Sequence, residues 1–135
     1  MPHDRVMRIT EEHPHLTRLL WFSTTLDAAM HREWTPTLGR RSAVARIAHI
    51  FCELHVRLGI VGLAEDTSFD LPLTQQDLAE CIGITAVHLN RVLGALKADG
   101  ALSFDRKRVW FHDLDRARKI AEFTTDYLFI ERRPR

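Results

Sequence analysis

Thr74–Gly100 reads TQQDLAECIGITAVHLNRVLGALKADG, two short helical patterns either side of a tight turn. Thr74 is a good N-cap, and Asp77 three residues on makes an approximate capping box. Leu78, Ala79 and Ile82 fall on one helical face, and Gly83 supplies a turn residue free to take positive φ. Thr85 can cap a second helix, in which Leu89, Val92, Leu93 and Leu96 recur at i, i+3, i+4 and i+7 before Gly100 ends it. A small residue at Ala79 lets two such helices cross closely. These features together predict a helix-turn-helix.

Upstream, a long pattern starts at Pro14, which suits a first helical turn. It carries Leu16, Leu19, Leu20, Leu26, Met30 and Trp34 as a broad apolar stripe, with Trp21 and Phe22 adding bulk. Such a helix needs a partner helix or another chain, and its mixed three- and four-residue steps fit a coiled-coil-like seam. Pro36 is expected to end or kink it near Thr35. Residues 1–13 carry few helix or strand signals beyond Val6, Met7 and Ile9.

Gly39, Arg40 and Arg41 then read as a basic hinge, and Ser42 caps a helix carrying Val44, Ile47, Ala48, Phe51, Leu54 and Leu58. A loop-like LAEDTSFD follows, and Leu71–Leu73 is read as extended. Beyond Gly100, Ala101–Phe104 and Arg108–His112 are strand candidates joined by Asp105, Arg106 and Lys107. A hairpin directly after a second helix of this kind is a wing. Asp113 caps a last helix through about Phe123, before a tail. The expected fold is mainly α: a winged helix-turn-helix (helices plus a small antiparallel hairpin) over 42–123, a helical arm over 1–41, and a tail over 124–135.

Of 135 residues, 45% are hydrophobic and 27% charged, ordinary globular values, and the formal net charge is +1. Global charge therefore offers no argument for nucleic acid, and any such affinity must come from a local patch. No apolar run approaches the about 20 residues of a membrane span, and MPHDRVMR has no signal-peptide core, so a cytoplasmic location is expected. Cys52 and Cys81 both sit in apolar helical patterns and are expected to be buried free thiols.

The string GRRSAVARIAHIFCEL, then LPLTQQDLAECIGIT and HLNRVLGALKADGAL, resembles the Crp/Fnr family of bacterial transcription regulators from about Leu26 to Phe123. The resemblance implies a dimerisation helix over 15–38 and a DNA-binding domain over 42–123. It further implies a palindromic operator, a second copy of the chain and RNA polymerase as partners. In that family an N-terminal β-roll binds an effector. That module takes on the order of 100 residues of short strands, and none precede the long helix here. A truncated product or the C-terminal part of a longer regulator is expected, and no cyclic-nucleotide, haem or iron–sulfur ligands are carried over.

In helix-turn-helix proteins, residues near the N-terminus of the second helix reach base edges. Ala86, Val87, Asn90 and Arg91 are the candidate base contacts. Arg91 matches the family's arginine there and can grip guanine O6 and N7, or be a surface arginine paired to a carboxylate. Asn90 can read adenine, contact phosphate or be solvated. Val87 stands where many family members carry a glutamate that accepts from cytosine; valine cannot accept, though it can touch a thymine methyl. Thr74, Gln76, Thr85, His88, Arg106, Lys107 and Arg108 are the candidate backbone contacts, the alternatives being capping for the threonines and a solvated turn for the cations.

His49, Cys52 and His55 share one helical face, yet neither CxxC nor HExxH spacing occurs, so no metal is expected. No P-loop, GxSxG or dinucleotide fingerprint is present, so no enzyme and no cofactor are expected. The competing reading is a winged helix that binds protein rather than DNA.

Overall fold

Residues 3–130 are described in the structure, a computed structural model. The elements run α1 (His3–Glu12), α2 (Pro14–Arg40), α3 (Ala43–Ile60), β1 (Ser68–Asp70), α4 (Gln75–Ile82), α5 (Ala86–Ala98), β2 (Leu102–Asp105), β3 (Arg108–Phe111) and α6 (Leu114–Ala121). A 3-10 turn follows at Asp126–Leu128. Two compact units are present, one of Pro36–Thr124 and one of Met1–Thr35 with Thr125–Arg135.

In the larger unit, α3 is the central element. Its inward face carries Ile47, Ala48, Phe51 and Cys52, all essentially inaccessible, and it packs on α4, α5, α6 and β1. The apolar spacing read from sequence is the cause. Each aromatic or branched side chain removed from water contributes about 1.5–3 kcal/mol, and Phe51 lies edge-on to Phe69 at 6.5 Å. Ser42 starts α3 by accepting from the Ala45 N–H at 3.2 Å.

The sheet has three strands in the order β1-β3-β2, all antiparallel, with Phe69 opposite Val109 and Leu102 opposite Phe111. Only the hairpin β2–β3 was expected. The added strand lies in the segment read as loop, just ahead of the piece read as extended. Its three residues are too few to show an alternating pattern. Pairing with β3 and burial of Phe69 hold it in place.

Two helical expectations also need correction. Residues 3–12 form α1, in which no residue is buried; local i→i−4 bonding maintains it, and apolar periodicity does not report that. Then α2 runs through Pro36 to Arg40 instead of ending near Thr35. Proline removes one helix hydrogen bond, that to the carbonyl of Arg32. The following turn is secured by Thr37, which is buried and accepts a 3.0 Å hydrogen bond on its hydroxyl from the Arg41 guanidinium.

In the smaller unit, Leu16, Leu19, Leu20, Trp21 and Phe22 of α2 are between 45% and 73% exposed. This apolar surface is larger than isolated surface hydrophobics require.

The two histidines of α3 differ in depth, His55 being half-buried. His49 is fully buried, edge-on to Phe123 at 5.3 Å. Its Nδ1 accepts from Arg41, which has no acceptor of its own, so in this contact the ring proton sits on Nε2. That nitrogen faces the buried Glu53 at 3.8 Å, and Glu53 in turn accepts from Arg57 at 3.1 Å. The His55 Nε2–H donates to the Glu65 carbonyl at 2.9 Å. The polar groups of α3 therefore hold the fold together.

Cys52 is buried, and burial pushes its thiol up to about 12 against the opposing pull of Arg118. Cys81 is exposed, contrary to expectation, because it lies on the outer face of α4, away from Leu78 and Ile82. Alkylation of the native protein should label Cys81 alone, with Cys52 labelled only after denaturation. Mass spectrometry of the two peptides checks this.

Candidate nucleic-acid interface

The helix-turn-helix is built by its caps. The Thr74 hydroxyl accepts from the Asp77 N–H at 3.1 Å, and the Asp77 carboxylate accepts from the Thr74 N–H at 2.7 Å. Gly83 ends α4 at φ 68°, with the Ile84 N–H bonded back to the Ala79 carbonyl at 3.0 Å. A residue with a Cβ would be strained in this left-handed conformation. Ala79 is fully buried beneath α5. Sequence spacing did not single out Arg46, which donates to the Ile82 carbonyl at 2.9 Å and ties α3 to the end of α4.

Thr85 caps α5 by accepting from the His88 N–H at 3.2 Å. Leu89, Val92, Leu93 and Leu96 turn inward, which leaves Val87, His88, Asn90 and Arg91 exposed on the opposite side. Val87, Asn90 and Arg91 stand at i, i+3 and i+4, so they are neighbours on one patch of helix surface. Among the described residues Arg91 and Asn90 make no side-chain hydrogen bond or ion pair. Ala86 is half-buried and presents less surface than the other three.

The candidate backbone contacts divide. Thr74 donates both its N–H and its hydroxyl to Asp77, so a carboxylate already stands at the N-terminus of α4. These bonds keep the Asp77 carboxyl below the usual carboxylate range, Lys107 adding a smaller pull. Gln76 donates to Glu80 at 2.8 Å. Arg108 is engaged through its two terminal nitrogens: it pairs with Glu65, bonds Asp70 at 2.9 Å and Ser68 at 2.8 Å, and lies over the Trp110 ring at 4.8 Å, while its buried Nε has no hydrogen-bond partner among the described residues. These contacts latch β3 to β1. Outside this network lie the other two cations of the wing cluster, Arg106, which is 3.8 Å from Asp105, and Lys107.

Those two form the two-residue turn of the β2–β3 hairpin at φ 48° and 62°. Positive φ at both positions is the type I′ geometry, which favours Asn-Gly. Arg and Lys there cost about 1–2 kcal/mol each in local sterics. The Lys107 carbonyl accepts from Leu71 N–H at 2.7 Å, fixing the turn to the segment before α4. Replacing Arg106 with Asn and Lys107 with Gly together should raise stability by at least about 1 kcal/mol. If the wing touches phosphate, the same protein should bind duplex DNA more weakly. Urea denaturation and a mobility shift test the two arms.

Hydrogen bonds from Arg108 lower Glu65, and hydrogen bonds from Arg116 lower Asp99, so both join Asp77 below their ordinary values. A lowered carboxylate stabilises the fold fully above its unfolded pKa and loses that contribution as pH falls through its folded pKa. The melting temperature should therefore be insensitive to these groups from pH about 7 to 5 and fall below about pH 4. A thermal melt series checks it. Among the described residues no three His, Cys, Asp or Glu side chains converge as a metal site would require.

A helix-turn-helix packed on α3 and followed by the β2–β3 hairpin, whose sheet β1 completes from ahead of α4, defines a winged helix-turn-helix. The chain belongs to the Crp/Fnr family: the model of the Crp-like helix-turn-helix domain matches residues 45–120. It is 36% identical over 112 residues to the transcriptional activator protein FnrL of Cereibacter sphaeroides, covering 79% of this chain and 43% of that protein. A probable transcriptional activator of Rhizobium leguminosarum bv. viciae is 30% identical over 107 residues, covering 79% and 44%. The fold matches FixK2 from Bradyrhizobium japonicum with a TM-score of 0.74 at 21% identity, over 89% of this chain and 59% of that one. The chain spans less than half the length of the curated relatives it matches.

Proposed function

We propose that this chain is the DNA-reading part of a Crp/Fnr-type transcription regulator that binds a palindromic operator as a dimer. In this reading, residues 42–123 read DNA and residues 1–41 pair two copies. The carrying observation is the exposed patch Val87, Asn90 and Arg91 on the side of α5 away from the core, with Arg91 unengaged and the Arg106–Lys107 turn on the following hairpin. Each copy would lay α5 in a major groove, the two half-sites about 34 Å apart. RNA polymerase is a further partner in the same reading, and neither catalysis nor a cofactor is part of it.

The exposed apolar residues of α2 favour self-association, and equally suit the competing reading of a module that binds another protein. Enrichment of duplexes from a random pool by the full chain decides between them. Recovery of a two-fold symmetric consensus is expected. Failure to enrich any sequence at about 50 mM salt would support the protein-binding module.

A further inference from the structure

Val87 is 65% exposed at the second position of α5, so core packing does not account for it. Helix propensity does not either, since an exposed valine is a poorer helix former than alanine or leucine. The first turn of α5 contains no acidic residue, so no carboxylate there can accept from the amino group of cytosine or adenine. What this position offers is a branched aliphatic tip with one strongly preferred rotamer, rigid enough to make an apolar contact with little loss of entropy.

Arg91 lies one helical turn further on the same face. Four residues of helix rise about 6 Å, and stacked bases are about 3.4 Å apart. A group touched by Val87 thus lies within about two base pairs of a base gripped by Arg91. The one apolar group on a base edge in the major groove of ordinary DNA is the 5-methyl of thymine, and 5-methylcytosine carries the same group.

Resting on the reading that α5 enters the major groove, we infer that Val87 reads the 5-methyl group of a pyrimidine within about two base pairs of the guanine bound by Arg91. The specificity at that position is for the methyl group, not for the hydrogen-bonding edge of the base. Burying one methyl against an aliphatic tip corresponds to about fourfold in affinity per half-site, and about fifteenfold for two.

The test uses the full chain and a duplex enriched from a random pool, with the guanine located by its dependence on Arg91. At each pyrimidine within two base pairs of that guanine, thymine, uracil, 5-methylcytosine and cytosine are placed in turn and affinity is measured by fluorescence anisotropy. At one position per half-site the thymine-to-uracil and 5-methylcytosine-to-cytosine ratios should both be about fourfold, and Val87→Ala should bring both to near one while the guanine preference remains. Uracil binding as well as thymine at every such position overturns the inference and leaves the DNA-reading proposal intact. A methyl preference that survives Val87→Ala also overturns it. Failure to enrich any duplex overturns the parent reading, and this one with it.

Discussion

Arg91→Ala is expected to flatten the sequence preference of the chain at one base pair in each half-site while leaving the protein as stable as before. The guanidinium is exposed and engages no other described residue, so its loss leaves no buried partner unsatisfied. Surface changes of that kind stay within about 0.5 kcal/mol. A bidentate grip on guanine O6 and N7 is worth about 1–3 kcal/mol against a wrong base, roughly 5- to 150-fold. The discrimination at that position should fall by that factor, with unchanged melting temperature. Arg91→Lys separates charge from geometry: it keeps the cation but loses the planar fork. It should retain general affinity and lose most of the discrimination. An equal loss by Arg91→Ala on all sequences would instead make Arg91 a phosphate contact.

The second large effect is expected from the arm. Leu16, Leu19 and Leu20 are about half exposed on α2, and together with Leu26 and Met30 they recur at steps that suit a two-helix seam. Serine at Leu19 and Leu20 removes two large apolar groups from the proposed seam without touching the buried face of α3. The variant should sediment as a monomer at micromolar concentration, where the parent chain is expected to sediment as a dimer. Its affinity for a duplex with two half-sites should drop by about 10²–10⁴, because the second half-site is no longer bound at high effective concentration. Affinity for a single half-site should hardly change. A parent chain that is already monomeric at that concentration removes the arm from the account.

The readable parts of this molecule are those where burial and capping coincide in short stretches. Thr74, Asp77, Gly83 and Thr85 are caps and a turn whose geometry depends on near neighbours, and the structure places all four as their residue types suggest. Ile47, Ala48 and Phe51 of α3 and the inward residues of α5 followed from period, whereas Val44, Leu54 and Leu58 are only half-buried and Ala45 and Ile50 are buried outside that stripe. What periodicity missed depends on distant partners or on no burial at all. The strand β1 exists because β3 lies beside it. Arg108 looked like part of a basic turn, yet Glu65 and Asp70, far earlier in the chain, take its charge. His49 was placed at a boundary because histidine is usually polar surface. Here Arg41 donates to one ring nitrogen and the Glu53 carboxylate faces the other at 3.8 Å in the core, an arrangement no spacing rule shows. Pro36 broke no helix because the next turn is fastened by Arg41 on Thr37.

The candidate site shows the same division. Spacing placed Val87, Asn90 and Arg91 on one exposed patch, and the fold keeps them there. At the start of α4, Asp77 accepts from the Thr74 N–H and hydroxyl. Near-neutral net charge remains compatible with DNA binding when exposed cations are local and present in two copies: Arg91 on α5, and Arg106 and Lys107 at the hairpin tip, where Arg106 lies 3.8 Å from the exposed Asp105 carboxylate.

The most direct test of the central claim, that α5 and the wing turn bind duplex DNA, is the salt dependence of binding to an enriched duplex. On the proposed reading, Arg106 and Lys107 alone, counted over two copies, would neutralise four phosphates, and the expected slope of log affinity against log salt is about −3 to −4 or steeper. A slope in that range that becomes shallower on replacing Arg106 and Lys107 is the predicted result. No binding at about 50 mM salt, or a slope near zero, would contradict it.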